Sequence, residues 1–403
     1  MVVAGWGARD RCMSTGNDAY EVATHSSIRD IGESVWSRLA GRDAPPFVSF
    51  AWLDALEQND RVTPERGWAP LYITLRRGTS LVAAAPAFVK GNSEGEFVFD
   101  HAWAQFAEQR LGIPYYPKLI VAVPFTPATG PRLLTSESAS RPEVARAFVA
   151  GLRELCEKLE LSGAHVLFPT PDEATELADA GLTHRMGIQF HWRNDGYRRF
   201  DDFLGRFNAK RRAQIRRERR EMQQAGVRFE VLTGSDLSEE IADLSYEFYR
   251  STVDQFFWGR RYLNRAFFHA ICERMPRQIH VVLARDVATR RPLAGAFNLL
   301  GRRVLYGRYW GALEQRRFLH FNVCYYAGIE ECIARGLERF EPGAGGEHKH
   351  VRGFEPTLTH SAHLLVNPML DRVVRDHTAR ERAAVAEHLA TTPRVVRRAH
   401  AAE

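Results

Sequence analysis

Cysteine is scarce in this 403-residue chain. The five thiols, at positions 12, 156, 272, 324 and 332, are odd in number, scattered and free of any C-x-x-C pair. That argues against a disulfide framework and fits free thiols in a reducing compartment. Long apolar runs are missing as well. No window reaches about 18 uninterrupted apolar residues, so no membrane-crossing helix is expected. The opening MVVAGWGARDRCMSTGND has no apolar core of signal-peptide length, so residues 1–25 are expected to be a disordered leader and the protein to be cytoplasmic. An H-E-x-x-H pair is also absent, which removes the commonest zinc-hydrolase signature.

What is present is ordinary in amount and uneven in placement. A hydrophobic content of 45% and a charged content of 26% describe a globular chain, and its length fits two domains. The formal charge of +6 is concentrated in Arg206–Glu221 (RFNAKRRAQIRRERRE), with eight basic residues against two acidic ones. Such a field attracts a polyanion: cofactor phosphates, a nucleotide-linked substrate, RNA or an anionic membrane. Lys210, Arg212, Arg216 and Arg219 recur at helical spacing and are the candidate phosphate ligands. The competing reading is a solvated helix laced with ion pairs. Few aromatics interleave these charges, which disfavours base stacking on single-stranded RNA.

Periodicity divides the chain into two similar halves. The first, residues 26–198, reads as a helix at Ser49–Asn59, strands at Pro70–Leu75 and Leu81–Lys90, and a half-buried strand at Glu94–His101. A proline-rich extended segment, Tyr115–Thr129, precedes a helix at Arg141–Glu160, a strand at Ala164–Phe168, a helix ended by Gly181, and a strand at Gln189–Asn194. The basic helix, within 199–226, links this half to the second, residues 227–375. There, helices at Ile241–Val253 and Asn264–Cys272 precede strands at His280–Arg285, Arg291–Leu300 and Arg303–Trp310. A helix over Phe318–Arg335 and a short strand at Arg339–Glu341 follow. Residues 376–403 read as a polar helix and tail. A strand meander, a crossing helix and a late strand match the acyl-CoA N-acetyltransferase topology, so the expected fold is α/β (α+β) with two tandem acetyltransferase-like domains and mixed, mostly antiparallel sheets.

The chemistry is expected between Gly301 and His363, where five of the fifteen histidines lie from His320 onward. The loop Gly343–His350 (GAGGEHKH) combines glycines that permit close backbone approach with a carboxylate, two imidazoles and an amine. Acyl transfer to an amine must remove a proton near neutral pH, and Glu347 or His348 suits that task. Tyr325 or His320 is then expected near the leaving group, with loop or strand amides stabilising the oxyanion. The bland reading of the loop is a polar surface turn. His320 and Cys324 share a helix face, but a buried thiol filling core space is the simpler reading than a nucleophile pair. Period-two spacing predicts one strand face carrying Tyr306, Arg308 and Trp310. These three, with Asp100, Tyr116, Lys118, Lys349 and Arg352, are the candidate substrate contacts. His348-x-His350 and His360-x-x-His363 raise a metal site, but the spacing is unspecific and no metal is expected.

Several motifs resemble the bacterial FemAB-like predicted N-acyltransferases. They are EGEFVFD (94–100), YYPK (115–118), PFTPATG (124–130), the KRRAQIRRER helix, LYGRYWG (305–311), CYYAGIE (324–330) and GEHK…RGFEP (346–356). The resemblance covers roughly residues 28–375. It is similar, through that family, to the Fem aminoacyltransferases of peptidoglycan cross-bridge synthesis, which have two acetyltransferase-like domains. What the resemblance implies is transfer from acyl-CoA or aminoacyl-tRNA to a small-molecule or nucleotide-linked amine, with tRNA as a partner in the second case. Two positions depart from the pattern. Asn322 stands where a glutamate commonly follows His-Phe, and the R/Q-x-x-G-x-G/A pyrophosphate loop of simple acetyltransferases is missing after Ala294–Leu300. A non-catalytic protein binding RNA or an anionic membrane on a degenerate acyltransferase scaffold is the alternative.

Overall fold

Turn chemistry and apolar patterning set the elements of this computed structural model, which describes residues 13–14, 20–255 and 259–397. Of residues 13–14 and Glu347 the backbone alone is described. In chain order the main elements begin with β1 (Glu21–His25), α1 (Glu33–Ala40), α2 (Phe50–Gln58), β2 (Tyr72–Arg77), β3 (Ser80–Ala85) and β4 (Ala87–Lys90). They continue with α3 (His101–Phe106), β5 (Lys118–Val121), α4 (Arg141–Lys158), β6 (Gly163–Leu167), α5 (Pro171–Asp179) and β7 (Thr183–Arg193). The second stretch holds α6 (Phe200–Gly205), α7 (Ala209–Gln224), β8 (Val227–Thr233), α8 (Glu239–Val253), α9 (Arg265–Arg274), β9 (Ile279–Asp286), β10 (Pro292–Leu300) and β11 (Val304–Ala312). Then come α10 (Leu319–Phe321), a wide π-helical turn (Asn322–Tyr326), α11 (Ala327–Ala334), β12 (Arg339–Glu341), a 3-10 turn (Glu347–Arg352), β13 (Glu355–Leu365) and α12 (Pro368–Thr391).

The described residues fold into two units, one within 1–188 and 358–390, the other within 189–357 and 391–403. In the first, β1, β2 and β3 form an antiparallel sheet. A second sheet runs β4–β5 antiparallel, β5–β6 parallel and β6 antiparallel to Ser361–Leu365 of β13. Helix α4 lays Val144, Phe148, Leu152 and Leu155 against Val22, Leu75, Leu119 and Val166 in one dry core. Burying each such side chain contributes roughly 1.5–3 kcal/mol. Glu21–His25 lies within the expected leader and forms an ordered strand on β2.

The second unit is built on the meander β8–β9–β10–β11, with β12 parallel to β11 and paired on its other side to Trp192–Arg193 of β7. The basic stretch divides into α6 and α7, and the Asn208 side chain accepts from the Arg211 amide to cap the second. Ile215 and Met222 turn inward from α7. One expectation fails here for a local reason. Register shifts at Phe297/Asn298, where Tyr309 pairs with Phe297 and Gly307 with Asn298, leaving Arg308 as an extra, bulged residue. The bulge reverses the alternation. Trp310 therefore packs with Val323 and Leu319 on the face shared with Leu300 and Leu305, whereas Tyr306 lies across from Leu299 on the opposite face, so the three do not share a side.

Glu94–His101 is not a strand; the residues to Asp100 are irregular, and His101 starts α3. Its alternation is resolved the wrong way round for a half-buried strand: Glu96 and Asp100 are buried, while Phe97 and Phe99 are exposed. Buried Lys118, described below, draws both carboxylates inward.

Candidate active site

In the second unit the π turn widens the helix between α10 and α11, a distortion frequent at functional sites. It begins after Phe318, whose φ of +66° is rare for an aromatic residue. Around this turn the rings of His320, Tyr325, His348 and Trp310 converge. His320 lies 4.3 Å from Trp310, 5.1 Å from Tyr325 and 5.7 Å from His348 between ring centres. The Tyr325 hydroxyl and His348 Nε2 are hydrogen-bonded at 2.8 Å. Three of the four expected catalytic residues are thus brought together; Glu347 is described in its backbone alone.

The loop carrying His348 is held from beneath. Gly343, Gly345 and Gly346 adopt φ of +89°, +71° and +84°, a region that side-chain-bearing residues rarely enter. Lys349 turns back and donates to the carbonyls of Gly343 (2.6 Å) and Ala344 (3.3 Å). Arg352 donates to the His348 carbonyl at 3.1 Å, and its guanidinium lies 3.3 Å from the Phe321 ring centre. Its other partner is Glu218 of α7, reached at 2.9 and 3.3 Å, and Glu218 also accepts from the Tyr326 hydroxyl and from Gln214. Sequence reasoning missed Glu218. Its signal was an acid at apolar spacing, between Ile215 and Met222 on the inner face of α7.

The electrostatics follow from burial. Desolvation, with help from His348, Lys349 and Arg352, lowers His320 to about 4. His348 moves below the usual imidazole value through burial and then the Lys349 and Arg352 charges. Both rings are therefore neutral at pH 7, the state in which a ring can accept a proton. Burial lowers Lys349 to about 8. It pushes the Cys324 thiol up, which leaves that sulfur protonated and unsuited to nucleophilic attack beside His320. Asn322 is buried and donates to the carbonyls of Glu218 (3.1 Å) and Phe318 (2.9 Å), fastening the π turn to α7.

The remaining expected residues are dispersed. Tyr306 is buried in β11, and the Arg308 guanidinium sits 5.5 Å from the Tyr309 ring centre. On α7, Arg216 pairs with Asp201 at 3.2 Å and Arg219 with Glu330 at 2.5 Å, so part of the helix is ion-paired; Lys210 is exposed and Arg212 half-buried. The histidine sets do not assemble. His350 bonds the Pro393 carbonyl at 2.9 Å, His360 meets His184 at 3.0 Å, and His363 meets His165 at 2.8 Å. Among the described residues no group of three or more His, Cys, Asp or Glu is arranged to hold a metal ion.

Asp100, Tyr116 and Lys118 do come together, within the first unit. Lys118 is fully buried and donates to Ser93 (2.7 Å), Glu96 (2.8 Å) and Asp100. Tyr115 donates to Asp100 at 2.7 Å, and the Tyr116 hydroxyl meets Ser93 Oγ at 2.8 Å. Burial pushes the Asp100 carboxyl up, but Lys118 and the hydrogen bonds outweigh it and the net displacement is well down. Glu96 stays raised, to about 7, because burial outweighs the same ammonium.

This architecture is the tandem acetyltransferase-like fold, carrying a neutral histidine–tyrosine pair in its second unit. Residues 27–396 match the FemAB-like model, described as peptidoglycan biosynthesis/recognition, and the chain belongs to that family. Among solved structures, that of FemX superposes with a TM-score of 0.51 at 11% identity, covering 87% of this chain and 99% of FemX. The structure of L-PGS from Bacillus licheniformis gives 0.47 at 9% identity over 80% and 94% of the two chains. A tandem GNAT protein from the clavulanic acid biosynthesis pathway gives 0.42 at 14% identity over 87% and 99%. A comparison with curated protein sequences gave no match. Among the described residues no helix is long and apolar enough to cross a membrane.

Proposed function

We propose that the protein is an N-acyltransferase that moves an acyl or aminoacyl group from acyl-CoA or aminoacyl-tRNA to an amine. The observation that carries this reading is the 2.8 Å bond between Tyr325 and a neutral His348, beside His320 and Trp310. The amine nitrogen attacks the acyl carbon directly and forms the C–N bond. As the C–S or C–O bond to the donor breaks, the amine proton passes to the Tyr325–His348 pair and the departing group takes up a proton from its surroundings. His320 lines the leaving-group side, Arg308 and Trp310 contact substrate, Lys349 holds the loop that carries His348, and Lys210 and Arg212 meet donor or acceptor phosphates. Family membership supports a peptidoglycan precursor, small or nucleotide-linked, as the amine. Use of such donors supports a cytoplasmic reaction.

Steady-state kinetics on a panel of acyl-CoA and aminoacyl-tRNA donors test the assignment. His348→Ala is expected to lower kcat roughly 10²–10⁴-fold, the usual contribution of a positioned base. Tyr325→Phe should lower it less while leaving KM for the donor near wild type. Unchanged turnover in both variants removes the pair from the chemistry.

A further inference from the structure

Lys90 of β4 and Lys118 of β5 are direct cross-strand partners, and both are fully buried. Like charges in that position oppose pairing, and burial, with the Lys118 charge, lowers Lys90 to about 7, so an anion that settles there must also hold the Lys90 proton in place. Arginine was available, since lysine makes up five of the 55 basic side chains. Three of those five, Lys90, Lys118 and Lys349, are buried. A compact ammonium whose charge burial can tune is what lysine adds over arginine.

The hydrogen-bonding partners come from one irregular segment, residues 91–100, while the Trp68 ring centre lies 3.9 Å from the Lys90 ammonium. Lys90 donates to Asn92 (3.2 Å) and to the Glu94 carbonyl (2.9 Å), while Lys118 takes Ser93, Glu96 and Asp100 from the same stretch. The fit is incomplete. Among the described residues Glu96 Oε1 and Asp100 Oδ1 are buried and receive no hydrogen bond, so each carboxylate serves Lys118 through one oxygen. The segment also costs free energy to hold in place: Phe97 has φ of +61°, and its ring and that of Phe99 stand in solvent, the latter 70% exposed. A segment that buries acids and exposes phenylalanines is arranged as a stand-in for something better suited to two ammonium groups.

We propose that Lys90 and Lys118 form a binding site for a compact dianion, a phosphate or dicarboxylate group of a ligand, and that segment 91–100 occupies it with Glu96 and Asp100 until the ligand arrives. The ligand's oxygens replace those of Glu96 and Asp100 on Lys118 and those of Asn92 and Glu94 on Lys90, and Phe97 and Phe99 follow the segment as it turns over. This site is independent of acyl transfer in the second unit.

Hydrogen–deuterium exchange of the full-length wild-type protein, with inorganic pyrophosphate in one arm and succinate in the other, is the primary test. Faster exchange across 92–99 with pyrophosphate alone assigns a phosphate ligand; with succinate alone, a dicarboxylate. Unchanged or slower exchange in both arms overturns the proposal. Calorimetry then compares Glu96→Gln with wild type. Removing the competing charge should tighten binding of the active anion at least about 10-fold, because an occluded site lowers apparent affinity by its open fraction. Adding Lys90→Met should abolish the gain. A gain that survives Lys90→Met places the anion elsewhere and also overturns the proposal.

Discussion

His348 is useful because its surroundings keep it neutral. Burial and the neighbouring Lys349 and Arg352 charges favour the uncharged ring, so it loses its proton at lower pH than a free imidazole. A base must be unprotonated, so activity should persist down through pH 6.5 and fall only below it. Lys349, lowered to about 8, acts in the other direction: above that pH it loses the charge that clamps the Gly343 and Ala344 carbonyls. The expected kcat/KM profile is a bell with its alkaline limb near pH 8, and Lys349→Met should erase that limb. A wild-type profile flat from pH 7 to 10 contradicts the clamp. At this scale the sequence was legible where side-chain chemistry is rare. The histidines, Tyr325 and Lys349 stood out in a short stretch. Glu218 did not, because one acid among arginines looks like charge balance until its orientation is known.

Elements carry the next level of control, and α7 is the clearest case. Its positive face was plain in the sequence, but its contribution to the site runs through its inner face, where Glu218 meets Arg352 and Tyr326. Glu218→Ala leaves a buried guanidinium without its acid and should destabilise the second unit by about 3–5 kcal/mol. A urea-unfolding free energy lowered by less than about 1 kcal/mol would show that Arg352 finds another partner. Strand β11 provides a second case. The glycines of LYGRYWG invite a ligand-binding reading, yet a Cβ on Gly311 would collide with the Phe248 carbonyl of α8. Gly311→Ala should therefore loosen α8 and cost roughly 1–3 kcal/mol, the usual range for overpacking. Melting at the wild-type temperature would contradict this. Period-two spacing misled at this scale twice. A one-residue bulge at Arg308 turned Trp310 to the other face, and buried Lys118 reversed the sidedness of EGEFVFD. Neither a bulge nor a distant ammonium leaves a mark in local periodicity.

For the whole molecule, the order of helices and strands was enough to recognise the tandem acetyltransferase-like fold, since apolar periodicity and turn residues are properties of short segments. The return path was not legible. The chain leaves the first unit after residue 188 and comes back at 358, so Ser361–Leu365 completes a sheet whose other strands precede it by some two hundred positions. Nothing in the composition of β13 names β6 as its neighbour.

That return path has a consequence for the protein's synthesis. As the chain emerges, the first unit must wait with the edge of β6 open until the second unit has been made and β13 has appeared. An uncovered strand edge is a template for wrong pairing. A chain cut anywhere before residue 365 thus keeps an unfinished first unit in which the edge of β6 stays uncovered.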